Sequence, residues 1–425
     1  MRTRPLALAF ALAHLGALAS LPAAAQLVPG PIGELGVAEE PSSKHHGPAV
    51  ALVRDGWLAA WEDEAQGLLL RRFDDGGHDR GRAVVLVADD AVPPLPFSGR
   101  LRREAHEVAV AARADGSFLA AWVEVKLRHS SDGYSEDRLV VARQVVARAF
   151  NVEGRPVSRL WILSGLDGVA SRPTVALVGD RFVVAWHERG GDAAGIHVRA
   201  VRGSGPARDQ FLAPRGLRPT IAAGGDGALV TWERCCGPEG GYQVFARLLD
   251  RAGYVAGEAF RVAADGPRGA RAPAVAGQPG GDFLIAYQRS LPDDEAGSRV
   301  YGQLVSHQGD LRGGEVALSG GYGTSHSMPA ATALSNGGWV VGWLTWMDRF
   351  RVGATIGSFA PLGNAAGNPL DLNAMPIVGL EMALASHPDG RVVAAWEGID
   401  PSGEQGLRAR LVRGPSKTAR LALPQ

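Results

Sequence analysis

A short apolar segment ending in an aromatic residue occurs seven times along the chain, and this recurrence restricts the fold more than any other feature. The copies are Trp57–Trp61, Phe118–Trp122, Phe182–Trp186, Ala228–Trp232, Phe283–Tyr287, Trp339–Trp343 and Val392–Trp396. Their terminal aromatics are 61, 64, 46, 55, 56 and 53 residues apart. A turn dipeptide precedes each copy: Asp55-Gly56, Asp115-Gly116, Gly179-Asp180, Asp226-Gly227, Gly281-Asp282, Asn336-Gly337 and Asp389-Gly390. Such pairs supply the positive φ angles of tight hairpins. Before the turn lies another strand, opened by Pro48, Pro173, Pro219, Pro273 or Pro329 in five of the copies. A strand's first residue tolerates proline because no ladder donor is lost there. A loop, a third strand such as Arg299–Val305, a glycine turn and a fourth strand such as Glu258–Val262 complete each unit.

The residue before each aromatic is small: Ala60, Ala121, Ala185, Thr231, Ala286, Gly342 and Ala395. The residue before that is also apolar: Ala59, Ala120, Val184, Val230, Ile285, Val341 and Ala394. Alternate residues of a strand point to opposite faces, so this strand lies between two other layers. We expect each aromatic ring to pack toward the small column of a neighbouring sheet. The pattern predicts an all-β, seven-bladed β-propeller of four-stranded antiparallel blades, anchored at Trp61, Trp122, Trp186, Trp232, Tyr287, Trp343 and Trp396. Two further segments read as fourth strands, Ile32–Val37 before the first unit and Thr418–Leu423 after the last. One of them would close the ring.

These repeats resemble those of bacterial exported propeller proteins that read Pro-x-Val-Ala…Asp-Gly-x-Phe-Val-Val-Ala-Trp. The resemblance spans nearly the whole mature chain and implies a fold rather than an activity. Sialidase-type Asp boxes, Trp-Asp blade ends and integrin-like calcium loops are absent from the sequence.

Arg2 and Arg4, the apolar run from Leu6 to Leu21, and Ala23-Ala24-Ala25 read as a signal peptide cleaved after Ala25. One propeller domain is then expected over 26–425, in the periplasm or secreted, as a monomer with no membrane span. Lys+Arg and Asp+Glu number 44 each, which argues against a nucleic-acid partner.

Catalytic motifs fail on inspection. His106-Glu107 and His187-Glu188 start a zincin-like pair, but Val110 and Gly191 stand where the second histidine is needed. His45, His46, His106 and His326 precede first strands of different units without short-range spacing, so no metal and no cofactor are expected. Glu62, Glu124, Glu188, Glu233 and Glu397 follow the aromatics, while Arg172, Arg218 and Arg271 precede the opening prolines. Both sets enter one face, either as bidentate ion pairs that order the rim or as an anion or sugar site built on unpaired arginines. Adjacent Cys235 and Cys236 read as a vicinal disulfide in an oxidising compartment, two isolated thiols being the other state.

The two longest intervals place extra residues at Asp89 to His106 and at Val123 to Arg138, on the same face and from adjacent blades. Leu95, Phe97, Trp346 and Phe350 are the aromatic and apolar candidates there for contact with a protein or glycan partner. Surface loops without a role are the alternative. The leading reading is an exported non-catalytic scaffold that binds a protein or glycan. The other is a hydrolase or lyase acting on extracellular carbohydrate in the central mouth.

Overall fold

The computed structural model describes residues 27–29, 35–38, 45–87, 100–131, 136–166, 168–191, 194–235, 241–263, 269–291, 297–320, 325–347, 352–373, 377–399 and 405–414. Each repeat is an antiparallel meander. The inner strands are His45–Val53, Arg100–Ala112, Val169–Val178, Gly216–Gly224, Ala270–Gly277, Ser325–Ala333 and Ile377–Ser386. Each pairs with the aromatic-ended strand that follows it. Successive inner strands touch around a common axis, and Ile377–Ser386 returns to His45–Val53. The chain is therefore an all-β propeller.

The expectation of seven separate four-stranded blades is corrected. The described strands make five free-standing sheets, four of four strands and one of five, together with one nine-stranded sheet. Five independent blades stand where seven were expected because the second and third repeats share a sheet. Strand Glu136–Phe150 of the second repeat runs parallel to Val169–Val178 of the third, in register at Arg143 and Val169. The Arg143 side chain adds a hydrogen bond from Nε to the carbonyl of Ala170, at 3.2 Å. The long strands Arg100–Ala112, Phe118–Ser131 and Glu136–Phe150 also project past the ends of their counterparts elsewhere. The two sequence insertions thus pair within one blade, rather than emerging from adjacent ones. Their buried Val123, Val125 and Leu127 lie against Trp186 and Ala170 of the third repeat.

Closure falls to the N-terminal segment. Val28–Pro29 and Leu35–Gly36 pair antiparallel with Gln405–Arg413, in register at Leu35 with Ala409. Chain start and chain end thereby share the five-stranded sheet. Thr418–Leu423 lies outside the described residues.

The core sits between sheets. All seven aromatic anchors are 2% exposed or less. Trp122 shares a cluster with Ala60, Trp186 with Ala121, Trp232 with Ala185, Trp343 with Ala286, and Trp61 with Ala395. Four of these rings thus meet the small column of the preceding repeat, and Trp61 meets that of the last. At Gly342 a Cβ would come within 2.5 Å of Met382 Sδ and 3.2 Å of Ile356 Cγ2, so the next sheet fits only against bare backbone. Removing one ring leaves a large void, because close-packed sheets relax only partly. Trp186→Ala should lower stability by about 3–5 kcal/mol. Chemical denaturation measures this, and a variant with wild-type midpoint and slope would show that the ring is not a core element.

Candidate functional site

Every inner strand carries a β-bulge at the same place. Pairing breaks between His46 and Ala49, His106 and Ala109, Ser171 and Thr174, Leu217 and Thr220, Arg271 and Ala274, Ser327 and Ala330, and Ile377 and Met382. Gly47, Glu107, Arg172, Arg218, Ala272 and Met328 stand in these breaks with φ between 49° and 60°. Left-handed backbone costs a non-glycine residue roughly 1–3 kcal/mol and persists only where its surroundings enforce it. Glu381, next to Met382, occupies the matching place in the last repeat.

The same residues line a central cavity of about 700 Å³. Its wall is Pro48, Pro173, Pro219, Pro273, Pro329 and small aliphatic side chains. Its charged groups are Glu62, Glu107, Arg172, Arg218, Glu381 and Glu397.

Several carboxylates clasp the next repeat. Glu397 accepts from the backbone N–H of Gly47 at 3.0 Å, which locks the last repeat to the first. Glu62 accepts from the N–H of Glu107 at 3.3 Å, and Glu233 from that of Ala272 at 2.6 Å. Three of the five carboxylates read as a possible rim of ion pairs, Glu62, Glu233 and Glu397, thus bind bulge backbone. Arg218 and Glu233 alone join members of the two predicted sets among the described residues, with Nε 3.5 Å from Oε1. Glu188 lies 3.4 Å from Trp186 Nε1, and Glu124 lies 3.8 Å from Lys126 Nζ.

Glu107 accepts from Arg143 Nη2 and from the N–H of Arg172, both at 2.5 Å. Arg172 Nη1 reaches Glu381 Oε1 at 2.6 Å. This pair joins the third repeat to the last, which are not neighbours in the ring, so it spans the cavity. Arg218 Nη1 faces Met328 Sδ at 3.9 Å. Burial, with Arg172 nearby, lowers the Arg218 pKa.

Two histidines behind the mouth are biased oppositely. His106 Nδ1 lies 2.6 Å from Glu62 Oε1 and Nε2 3.5 Å from Glu104 Oε2. The Glu62 hydrogen bond raises its pKa from the ordinary 6.5. His187 is buried against Ser171 Oγ at 2.9 Å. Burial first, then the field of Arg189, Arg172, Arg143 and Arg218, pulls its pKa down to about 4.

Of the predicted binding residues, Arg172 and Arg218 meet at the cavity. Arg271 does not: Ala272 takes its bulge position and Arg271 is exposed. Trp346 is half-buried, with its indole N–H donating to Ser327 Oγ at 2.8 Å. Leu95, Phe97 and Phe350 lie outside the described residues. His326 is buried edge-on to Trp343, so it does not converge with His106. Among the described residues no group of three His, Cys, Asp or Glu side chains is arranged to hold a metal ion, and no helix is long and apolar enough to cross a membrane. Sequence reasoning missed Glu107 and Glu381 as cavity residues. The proline that marks the bulge elsewhere is Val108 in the second repeat and Met382 in the last, so the alignment signal was weak there.

No protein-family model matches the sequence, and no curated protein matches it. Among solved structures, a protein of unknown function from Dyadobacter fermentans superposes with a TM-score of 0.54 at 10% identity, over 90% of this chain and 98% of that one. The polysaccharide lyase Uly1 superposes with a TM-score of 0.47 at 10% identity, over 87% of this chain and 90% of that one. An α-L-arabinanase from Penicillium chrysogenum gives 0.40 at 13% identity, over 92% and 97%. The first likeness supports the fold, and at such identities none assigns an activity.

Two predictions follow from the site chemistry. The His106 contribution to stability is full below its ordinary pKa of 6.5 and is lost as pH rises through its elevated folded value. His187 acts in the opposite direction. Below 6.5 the unfolded chain takes up a proton that the folded chain refuses until about pH 4, so stability falls across that window. Melting temperature measured against pH should lose its alkaline decline in His106→Gln and part of its acid decline in His187→Gln; unchanged profiles would refute these assignments. Cys235 is not a free thiol, whereas Cys236 lies outside the described residues. Alkylation mass spectrometry on the purified protein should find no labelled cysteine before reduction and two after it, and two labels without reduction would rule out the disulfide.

Proposed function

We propose that the protein acts on a saccharide in the central cavity, which places the carbohydrate-acting reading ahead of the non-catalytic scaffold. The supporting observation is the convergence of six charged side chains, three of them on left-handed bulges, around a cavity of about 700 Å³. That volume lies in the usual range for small-ligand sites. Carboxylates and guanidinium groups offer the acceptors and donors that sugar hydroxyls need. The proline and alanine wall offers apolar surface for the C–H faces of sugar rings. A flat platform for a protein partner would need neither the depth nor the inward-facing charges.

The chemistry that fits is cleavage of a glycosidic bond. Glu107 and Glu381 flank Arg172 and are the candidate acid–base pair, with Arg172 holding both in place. Proton transfer by one positioned carboxyl contributes about 10²–10⁴-fold to such a reaction. The test is to incubate the mature protein with a panel of extracellular polysaccharides and to measure new reducing ends. Glu107→Gln and Glu381→Gln should each lower turnover by about 10²-fold or more while ligand still binds. A ligand that competes for the cavity without ever being cleaved would favour the scaffold instead.

A further inference from the structure

The cavity holds four carboxylates against two guanidinium groups, so a charge count alone would favour a cationic ligand. Pairing reverses that preference. Glu62 is engaged by His106 and by the N–H of Glu107. Glu107 is engaged by Arg143 and by the N–H of Arg172. Glu397 is engaged by the N–H of Gly47. These acceptors face donors supplied by the protein itself, and Glu381 is matched to Arg172.

Arg218 is the exception. Its side chain is 37% exposed, its Nε is 3.5 Å from Glu233 Oε1, and its Nη1 faces a thioether sulfur at 3.9 Å. Glu233 itself is already held by the N–H of Ala272 at 2.6 Å. A guanidinium is a planar fork of five donors suited to bidentate oxyanions. Here a left-handed bulge residue, at φ 50°, directs that fork into the cavity with no oxyanion in bidentate contact among the described residues. Arg172 stands at the equivalent bulge of the preceding repeat, and its exposed partner Glu381 is 38% accessible. A second oxyanion arriving at the mouth would compete directly with Glu381 for Arg172.

We propose that the cavity selects saccharides bearing an oxyanion, a uronate carboxylate or a sulfate ester, received by Arg218 and by Arg172 as it exchanges away from Glu381. This rests on the saccharide reading above and adds the ligand's charge and the residues that read it. The Arg172–Glu381 bar would then act as an internal stand-in for the ligand, closing the mouth while the cavity is empty.

The experiment is calorimetric titration of the mature protein with three oligosaccharides of matched length: a uronate oligomer, its carboxyl-reduced neutral counterpart, and a sulfated oligomer. At least one acidic ligand should bind about tenfold or more tightly than the neutral one, as expected for hydrogen bonds to a charged group, and that advantage should shrink with added salt. Which acidic ligand is preferred distinguishes carboxylate from sulfate. Arg218→Gln should abolish the advantage, and Arg218→Lys should restore part of it. Glu381→Gln, which frees Arg172, should tighten the acidic ligand severalfold relative to the neutral one. Arg271→Gln, outside the cavity, should bind as wild type, and melting curves establish that each variant folds. Equal binding of neutral and acidic ligands, or an acidic preference that survives Arg218→Gln, would overturn the anion inference and leave the saccharide reading standing. Binding of none of the three would overturn both.

Discussion

The fit of an aromatic ring against a small side chain on the preceding sheet is the contact on which everything else in this propeller depends. It sets the spacing between sheets, because a larger residue at Ala60, Ala121 or Ala185 would push the next anchor outward. It also fixes which end of each strand faces which neighbour, since the anchor lies near the end of its strand. Buried rings of this size dominate the energetics of such a core. Once these rings are seated, the inner strands can only line a common axis. The cavity is thus a consequence of inter-sheet packing rather than a separate construction.

A second contact refines the first. Packed sheets still leave the inner strands free to slide, and the bulges would relax if nothing held them. Carboxylates one residue beyond the anchors accept from bulge N–H groups of the following repeat, at Gly47, Glu107 and Ala272. Such charge-assisted bonds are stronger than neutral ones. They satisfy a donor that the ladder has abandoned and they hold a left-handed residue in place. In the fifth repeat Gln288 stands at this point and turns to Ser298, and in the sixth the position is the apolar Leu344. The clasp thus forms between the last and first, the first and second, and the fourth and fifth repeats.

Much of the architecture was legible in the sequence. The aromatic anchors, the small columns and the turn dipeptides all recur with a period that local chemistry enforces, and the observed pairing follows them. The N-terminal fourth strand could also be read, as the segment Ile32–Val37 ahead of the first unit. The number of independent blades could not. Fusion of the second and third repeats depends on one parallel contact at Val169 and Arg143, and neither residue differs in type from its surroundings. The site was half legible. Arg172 and Arg218 announced themselves beside prolines, whereas Glu107 and Glu381 had no proline to mark them. The role of the glutamate column was misread, because a carboxylate followed by an arginine elsewhere in sequence reads as an ion pair. Its true partner, a backbone N–H exposed by a bulge, leaves no trace in residue type.

The bulge position separates geometry from chemistry. Around the ring its occupants are Gly47, Glu107, Arg172, Arg218, Ala272, Met328 and Glu381, a neutral, acidic, basic and apolar assortment on one repeated backbone. The fold tolerates this variety because each side chain points away from the inter-sheet core and into the cavity, so it contributes little to packing. Left-handed backbone costs stability at the five non-glycine positions that adopt it, Glu107, Arg172, Arg218, Ala272 and Met328. A structural role would be served best by glycine throughout. Arginine at two adjacent repeats and glutamate at two others instead present charge inward along the cavity wall.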